Sequence, residues 1–320
     1  MNPLIAIIDN VFDSYEEEKA VLARLNARVD ISNPQTPQGL LSKVRQVDAV
    51  LVNLHKIDGM VIRGMQNCKV ISRYGVGVDN VDIEAAAHKG IWVANVPDYC
   101  VEETADHALA LLFTCAHGII FKDKLIRKGE WKLEKRFPLS RSSASTLGIV
   151  GYGRIGRALH RKVGALGLGG VLVCDPYVDP GTIAAMGGEK TDLHTLLGKA
   201  DLISLHVPLT GETLHLLSEP EFLLMKQRVV LVNTSRGPVI DERALIGALE
   251  NKPGMSAGLD VYEKEPLPRT SPLRSLENVV LTDHTAYYSE QSLSELKSAA
   301  AANVAETLLC GRPLHPVNVI

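Results

Sequence analysis

A chain of 320 residues exceeds the roughly 250 to 300 that a single hydrophobic core usually serves, so two domains are expected. Hydrophobic residues make up 46% and charged residues 22%, a globular balance that excludes long disorder. A formal net charge of -3 offers no basic field to a phosphate backbone, so no nucleic-acid partner is expected, and no apolar run reaches the ~20 residues of a bilayer span.

The opening Met1-Asn2-Pro3, followed by Leu4 to Ile8, has neither the basic leader nor the apolar length of a secretory signal. Strands are predicted at Leu4 to Ile8, Ala49 to Leu54, Val70 to Arg73 and Ile91 to Asn95, with helices at Tyr15 to Arg28, Met60 to Asn67 and Ile83 to Lys89 between them. Val101 to Lys128 reads as one long apolar helix that starts on acidic Glu102 and Glu103. The irregular stretch from Gly129 to Thr146, with Trp131 and Phe137, is read as an arm that packs on a second subunit, which predicts a homodimer.

A second alternating series follows, with strands at Leu147 to Val150, Val171 to Cys174, Leu202 to Leu205, Val229 to Asn233, Ala257 to Asp260 and Val279 to Thr282. An alanine-rich helix, Glu290 to Cys310, closes the chain and stops at Gly311-Arg312-Pro313. The fold class is therefore α/β, with doubly wound parallel sheets in two domains. Residues 1–98 plus 289–320 are expected to form one domain and 99–288 the other, with the arm near 101–146. The five cysteines are odd in number and contain no C-x-x-C pair, so buried reduced thiols, no metal site and a cytoplasmic setting are expected.

Gly151-Tyr152-Gly153-Arg154-Ile155-Gly156 is a G-x-G-x-x-G motif between a strand and a helix running Arg154 to Leu166. Gly151 permits the tight turn, Gly153 lets the backbone approach a pyrophosphate, and Gly156 allows the helix to pack closely on the strand. The helix N-terminus adds amide donors for phosphate. Asp175 ends the next strand, where a carboxylate accepts from ribose hydroxyls and repels a 2'-phosphate. Pro176 and Tyr177 follow in place of an arginine, so the expected cofactor is NAD, bound by a Rossmann-type domain.

Three later strands each end on a residue type that carbonyl reduction needs. Arg236, in V-N-T-S-R-G, can hold a substrate carboxylate in its planar fork. The segment Asp260 to Pro266 supplies acids, and His284, in D-H-T-A, supplies an imidazole whose tautomer a carboxylate would fix. The other nine histidines show no comparable company in sequence, and each is read as structural.

These motifs, together with R-Y-G-V-G-V-D-N-V-D (Arg73 to Asp82), N-V-P-D-Y-C-V-E-E-T-A-D-H-A (Asn95 to Ala108) and A-Y-Y-S-E-Q (Ala286 to Gln291), resemble the D-isomer-specific 2-hydroxyacid dehydrogenases over nearly the whole chain. The likeness is greatest to the phosphoglycerate-dehydrogenase-like and C-terminal-binding-protein-like branch. It implies a flavodoxin-like substrate domain beside the Rossmann domain, and hydride transfer between NAD(H) and a small 2-oxo or D-2-hydroxy acid. Arg236 would anchor the substrate, Glu265 would tune the histidine, and His284 would be the general acid/base. Arg154 and Ile155 would lie at the pyrophosphate, Val207, Pro208 and Thr213 near the cofactor, Thr104 near phosphate, Thr234 and Ser235 by the nicotinamide, and Asp260 on its amide. The amides of Val76 and Gly77 would hold the substrate carboxylate, which accounts for glycines at 75 and 77.

Two positions depart from many relatives. Asp283 stands where proline is common and is read as a strand-end cap; Tyr287 stands where smaller residues are common and is read as an aromatic wall to the substrate site. Relatives acting on a phosphorylated substrate carry arginines after the second predicted strand, whereas this chain has Leu51-Val52-Asn53-Leu54-His55-Lys56, so an unphosphorylated 2-oxo acid is expected. The alternative reading is an NAD(H)-sensing, corepressor-like scaffold with little turnover.

Overall fold

The computed structural model describes residues 2–9, 11–131 and 141–320, and the chain divides into two units. Unit 1 comprises Met1–Cys100 and Ser289–Ile320; unit 2 comprises Val101–Tyr288.

In unit 1 the order is β1 (Leu4–Ile8), α1 (Glu16–Leu22), β2 (Arg28–Ser32), α2 (Pro37–Val44), β3 (Ala49–Val52), α3 (Gly59–Gly64), β4 (Val70–Arg73), α4 (Ile83–His88) and β5 (Trp92–Ala94). The strands form a parallel sheet in the order β2-β1-β3-β4-β5, the flavodoxin-like arrangement. Successive residues of β1 feed opposite faces, Ala6 and Ile8 packing with Leu40, Val44 and Ile62, and Ile5 and Ile7 with Tyr15, Leu22 and Val304. A sheet buried on both sides needs such continuous aliphatic strands.

In unit 2 come α5 (Val101–His117), α6 (Ile119–Arg127), β6 (Thr146–Val150), α7 (Arg154–Gly164), β7 (Gly170–Cys174), α8 (Pro180–Ala184), β8 (Glu189–Lys190), α9 (Leu193–Lys199), β9 (Leu202–Leu205), α10 (Glu219–Leu224), β10 (Val230–Asn233), α11 (Glu242–Asn251), β11 (Ser256–Leu259) and β12 (Val279–Leu281). The parallel order β12-β11-β10-β9-β6-β7-β8 reverses direction next to β6, the topological switch point at which dinucleotides bind. Because every strand runs the same way, the loops after β6, β7, β9, β10, β11 and β12 all emerge at one edge. The closing helix α12 (Glu290–Cys310) belongs to unit 1, with Leu296, Ala300, Ala301, Val304 and Ala305 in its core.

Several expectations need correction. The first helix ends early because Asn26 takes a left-handed conformation at φ 50, after which the chain enters β2, a strand not anticipated. The long helix expected over 101–128 is two helices, broken at Gly118, whose φ of 59 no helix interior accommodates. Of the cysteines, Cys68, Cys100 and Cys115 are buried, Cys174 is partly buried, but Cys310 is exposed; all are free. Half of the expected dimerisation arm, residues 132–140 of 129–146, lies outside the described residues.

Candidate active site

The turn after β6 shows why its three glycines are needed. Gly151 has φ 90, and a Cβ there would lie 2.7 Å from the carbonyl carbon and oxygen of His206. A Cβ on Gly156 would come within 2.4 Å of the Gly151 carbonyl oxygen. Gly153, the residue capping α7, meets nothing: a Cβ there would project into open space. The first glycine thus lets the turn lie against the chain after β9, the last allows helix α7 to sit tightly on β6, and the middle one keeps the approach to the amides bare, as a pyrophosphate requires.

Arg154 and Ile155 open α7, with Arg154 exposed and Ile155 partly buried. Asp175, at the end of β7, accepts from the Tyr152 amide at 2.7 Å and from the Tyr177 amide at 2.9 Å, and so ties the glycine turn to the neighbouring strand end. Tyr152 points inward, its hydroxyl 2.6 Å from His160 Nδ1. Burial pushes the His160 pKa down, which favours the neutral imidazole beside the phenol. Val207 and Pro208 follow β9, and the Thr213 hydroxyl donates to the Pro208 carbonyl at 2.6 Å, closing that loop on itself. Thr104 is buried on α5. Thr234 is 9% exposed, and its hydroxyl oxygen is buried without a hydrogen-bond partner. A bare glycine turn, an ordered carboxylate on the adjacent strand and this orphaned hydroxyl fit a dinucleotide at the switch point.

The loops after β10, β11 and β12 gather the reactive groups. His284 Nδ1 lies 2.6 Å from Glu265 Oε2, while Glu265 Oε1 accepts from the Tyr262 amide at 3.0 Å. Burial works to raise the Glu265 pKa, but the hydrogen bond and charge of His284, the Tyr262 amide and the Arg236 charge outweigh it and hold the carboxyl below its usual range. Arg236 therefore acts on the same carboxylate that orients His284. Their proximity depends on Gly237, since a Cβ there would stand 1.8 Å from the carbonyl carbon of Tyr262. Two loops meet backbone to backbone at this point, and only glycine permits it.

Ser235 is engaged with Asn233, donating to its Oδ1 through the hydroxyl at 2.8 Å, and the Ser235 carbonyl accepts from Arg236 Nη1 at 2.8 Å. Asp260 is fully buried. Asp283 accepts from the Thr285 hydroxyl at 2.8 Å and is exposed, and Tyr287 is partly buried in the same loop. Val76 and Gly77 lie in unit 1, after β4. Gly75 takes φ 137, where a Cβ would overlap the Arg73 guanidinium, and the Val76 carbonyl is held by Asn95 Nδ2 at 2.7 Å.

The reading of the other histidines as lacking company is wrong in several cases. His55 joins Asp9, His107 joins Thr282 and His215 joins Glu263, each across a fold contact that linear sequence does not display, while His206 joins Ser204 two residues before it. Sequence reading missed His107, Thr282 and Tyr262, whose hydroxyl donates to the Thr282 carbonyl at 2.6 Å. A usable signal existed for His107, which lies three residues after Thr104 on the same helix.

A Rossmann sheet with an arginine, a glutamate and a histidine at its dinucleotide edge defines a dinucleotide-dependent oxidoreductase. The family model described as "D-isomer specific 2-hydroxyacid dehydrogenase, NAD binding domain" matches residues 109–286. A glyoxylate reductase of Thermococcus litoralis is 40% identical over 276 residues, covering 84% of this chain and 83% of that protein. A D-3-phosphoglycerate dehydrogenase of Methanocaldococcus jannaschii is 36% identical over 300 residues, covering 93% of this chain and 56% of that one. The crystal structure of a D-lactate dehydrogenase from Aquifex aeolicus, complexed with NAD and lactic acid, superposes with a TM-score of 0.85 at 27% identity over 96% of both chains. The chain belongs to the D-isomer specific 2-hydroxyacid dehydrogenase family. It is an NAD-dependent oxidoreductase that transfers a hydride between NAD(H) and 2-oxo or 2-hydroxy acids, and these relatives support the enzyme over the scaffold. Among the described residues no helix is long and apolar enough to cross a membrane.

Proposed function

We propose that His284 is the general acid/base, Glu265 its orienting partner and Arg236 the substrate anchor in the reduction of a small unphosphorylated 2-oxo acid and the reverse oxidation. The observation that carries this reading is the 2.6 Å contact between His284 Nδ1 and Glu265 Oε2, on a carboxylate also under the charge of Arg236. Bound NADH supplies the hydride. With Nδ1 committed to Glu265, His284 presents Nε2 to the substrate oxygen and delivers or removes its proton there. Arg236 offers a bidentate fork to the carboxylate and holds the reacting carbon in line. Asp260 already accepts two donors on Oδ1 and one on Oδ2, which leaves an acceptor position for an amide such as the nicotinamide carboxamide. Gly151, Gly153, Arg154, Ile155, Gly156, Asp175 and Thr234 hold the cofactor, and the Val76 and Gly77 amides are assigned to the substrate carboxylate.

The loop after β3 supports an unphosphorylated substrate. Asp9 Oδ2 accepts from the amides of Asn53 at 2.8 Å and Leu54 at 2.9 Å, and Asp9 Oδ1 from the His55 amide at 3.2 Å. A nest of consecutive amides that could receive an anion is thus filled by an internal carboxylate. The His55 ring is spent as well, with Nδ1 on Asp9 and Nε2 2.7 Å from the Pro34 carbonyl. Lys56 alone is a poor phosphate clamp beside an exposed Leu54. The same reading takes the protein as a cytoplasmic homodimer, supported by its free thiols and by exposed Ile119, Ile120 and Ile126 on α6.

The test is NADH oxidation over a panel of 2-oxo acids. Glyoxylate and hydroxypyruvate are expected to turn over with kcat/KM at least tenfold above phosphohydroxypyruvate. A preference for the phosphorylated acid overturns the substrate class, and full activity in His284→Asn overturns the acid/base assignment.

A further inference from the structure

Hydrogen-bond accounting around Asp260 leads to a residue on α5. The buried Asp260 carboxylate accepts from the Thr282 hydroxyl at 2.6 Å, the Thr285 amide at 3.0 Å and the Ala286 amide at 3.0 Å. These donors bracket His284, whose own amide donates to the Asp260 carbonyl at 2.9 Å. The bracket matters because His284 has φ 59, a left-handed conformation that a residue with a Cβ keeps only where its surroundings hold it.

Thr282 has one hydroxyl proton to give. A carboxylate only accepts, so that proton goes to Asp260. The Thr282 oxygen also lies 3.0 Å from His107 Nε2, and with its proton committed it can only accept there. His107 therefore carries a proton on Nε2, and the chain of donation runs from His107 to Thr282 to Asp260. The same nitrogen stands 3.6 Å from Asp260 Oδ1, so its donor edge faces the buried carboxylate directly. Helix α5 packs on β10, β11 and β12, which makes the ring a fixed strut against the strand ends.

We propose that His107 is a positioning residue for the reaction, holding the Thr282 hydroxyl on Asp260 and thereby the left-handed geometry of the His284 loop. This rests on the reading of His284 as acid/base. Without the ring donor, Thr282 keeps its bond to Asp260 but loses the strut that fixes its oxygen, and the His284 imidazole samples orientations that do not deliver a proton. Ground-state substrate binding through Arg236 does not pass through this chain of bonds, so the loss falls on kcat.

The experiment measures steady-state reduction of glyoxylate by NADH, NADH binding by fluorescence, and thermal melting for His107→Phe, His107→Gln, Thr282→Val and Thr282→Ser. Phenylalanine keeps the volume without the donor, whereas the glutamine amide restores it. His107→Phe and Thr282→Val are expected to lower kcat about tenfold with KM within twofold, and the double variant to be no worse than either alone. Glutamine and serine are expected to recover kcat to within threefold of the parent. The inference is overturned by wild-type kcat in His107→Phe, by a loss confined to KM, by additive losses in the double variant, or by failure of glutamine to rescue. If the phenylalanine variant does not fold, the comparison of Thr282→Val with Thr282→Ser decides the matter. His284→Asn separates the two levels: inactive His284→Asn beside fully active His107→Phe removes only the positioning role, whereas active His284→Asn removes the acid/base reading and this inference with it.

Discussion

A carboxylate beside an imidazole ionises in a partly buried site only if its lost hydration is offset, and at Glu265 the offsets come from His284, the Tyr262 amide and Arg236. Glu265→Gln keeps an acceptor but deletes the charge. The expected outcome is a kcat lower by about tenfold or more with little change in NADH affinity, read from stopped-flow and steady-state rates. A second pair makes a prediction about pH. Burial lowers the His55 pKa, yet the Pro34 carbonyl and the hydrogen bond and charge of Asp9 raise it above 6.5 overall. Both partners are acceptors, so both ring nitrogens donate only in the imidazolium form. The stabilisation is thus full below pH 6.5 and is lost as pH rises through the raised pKa. Urea denaturation of wild type and His55→Gln from pH 5.5 to 9 should show a gap that is constant at the acid end and narrows toward alkali; a gap that widens would refute the charged pair.

At the scale of elements, glycines decide which loops touch. Gly237→Ala would force a Cβ to within 1.8 Å of Tyr262 backbone, and backbone cannot step aside as a side chain can. The β10 and β11 loops must then separate, taking Arg236 from Glu265, so turnover should fall at least a hundredfold while the protein still folds, as circular dichroism would show. Gly164, in the last turn of α7, has nothing within 4 Å of a built Cβ, and Gly164→Ala should raise stability by roughly 0.5 to 1 kcal/mol by denaturant titration. The glycine turn, Asp175, Arg236 and His284 were legible in sequence because a parallel sheet delivers each strand's end to one edge, so linear spacing translates directly into shared location, whereas Glu265 was singled out from the acids of 260–266 by the family resemblance. His107 could be placed on the helix face of Thr104, but its partner was not legible. Its pairing with Thr282 spans 175 residues and arises from helix α5 packing on the sheet, a tertiary event without local signature. The missed strand β2 carries the sequence Arg28-Val-Asp-Ile-Ser32 at the sheet edge, with partly exposed faces, and so lacks the continuous aliphatic run that marked the central strands.

At the scale of the whole molecule, unit 1 is discontinuous in the chain: its first hundred residues depend on α12, which arrives only after unit 2 has been completed. Leu296, Ala300, Ala301, Val304 and Ala305 fill one face of its sheet, the Ser72 hydroxyl donates to the Ala300 carbonyl at 2.9 Å, and Asn303 Nδ2 reaches the Asn95 carbonyl at 2.9 Å. Leu296 and Val304 alone contribute about 3 to 6 kcal/mol at about 1.5 to 3 each, a large share of the ~5 to 15 kcal/mol that holds a domain folded. Unit 2 draws its two cores from its own residues, among them Leu111, Leu159 and Val232 on one side and Ile203, Leu231 and Leu249 on the other. A chain ended after Tyr288 is therefore expected to lose glyoxylate reduction and the cooperative melting of unit 1, yet to bind NADH. Excess NADH at a hundred times its Kd should stabilise the surviving transition by about 2.7 kcal/mol in calorimetry. A truncated chain with no NADH-dependent transition would mean that the Rossmann unit cannot form without its partner, and that the two cores are not independent.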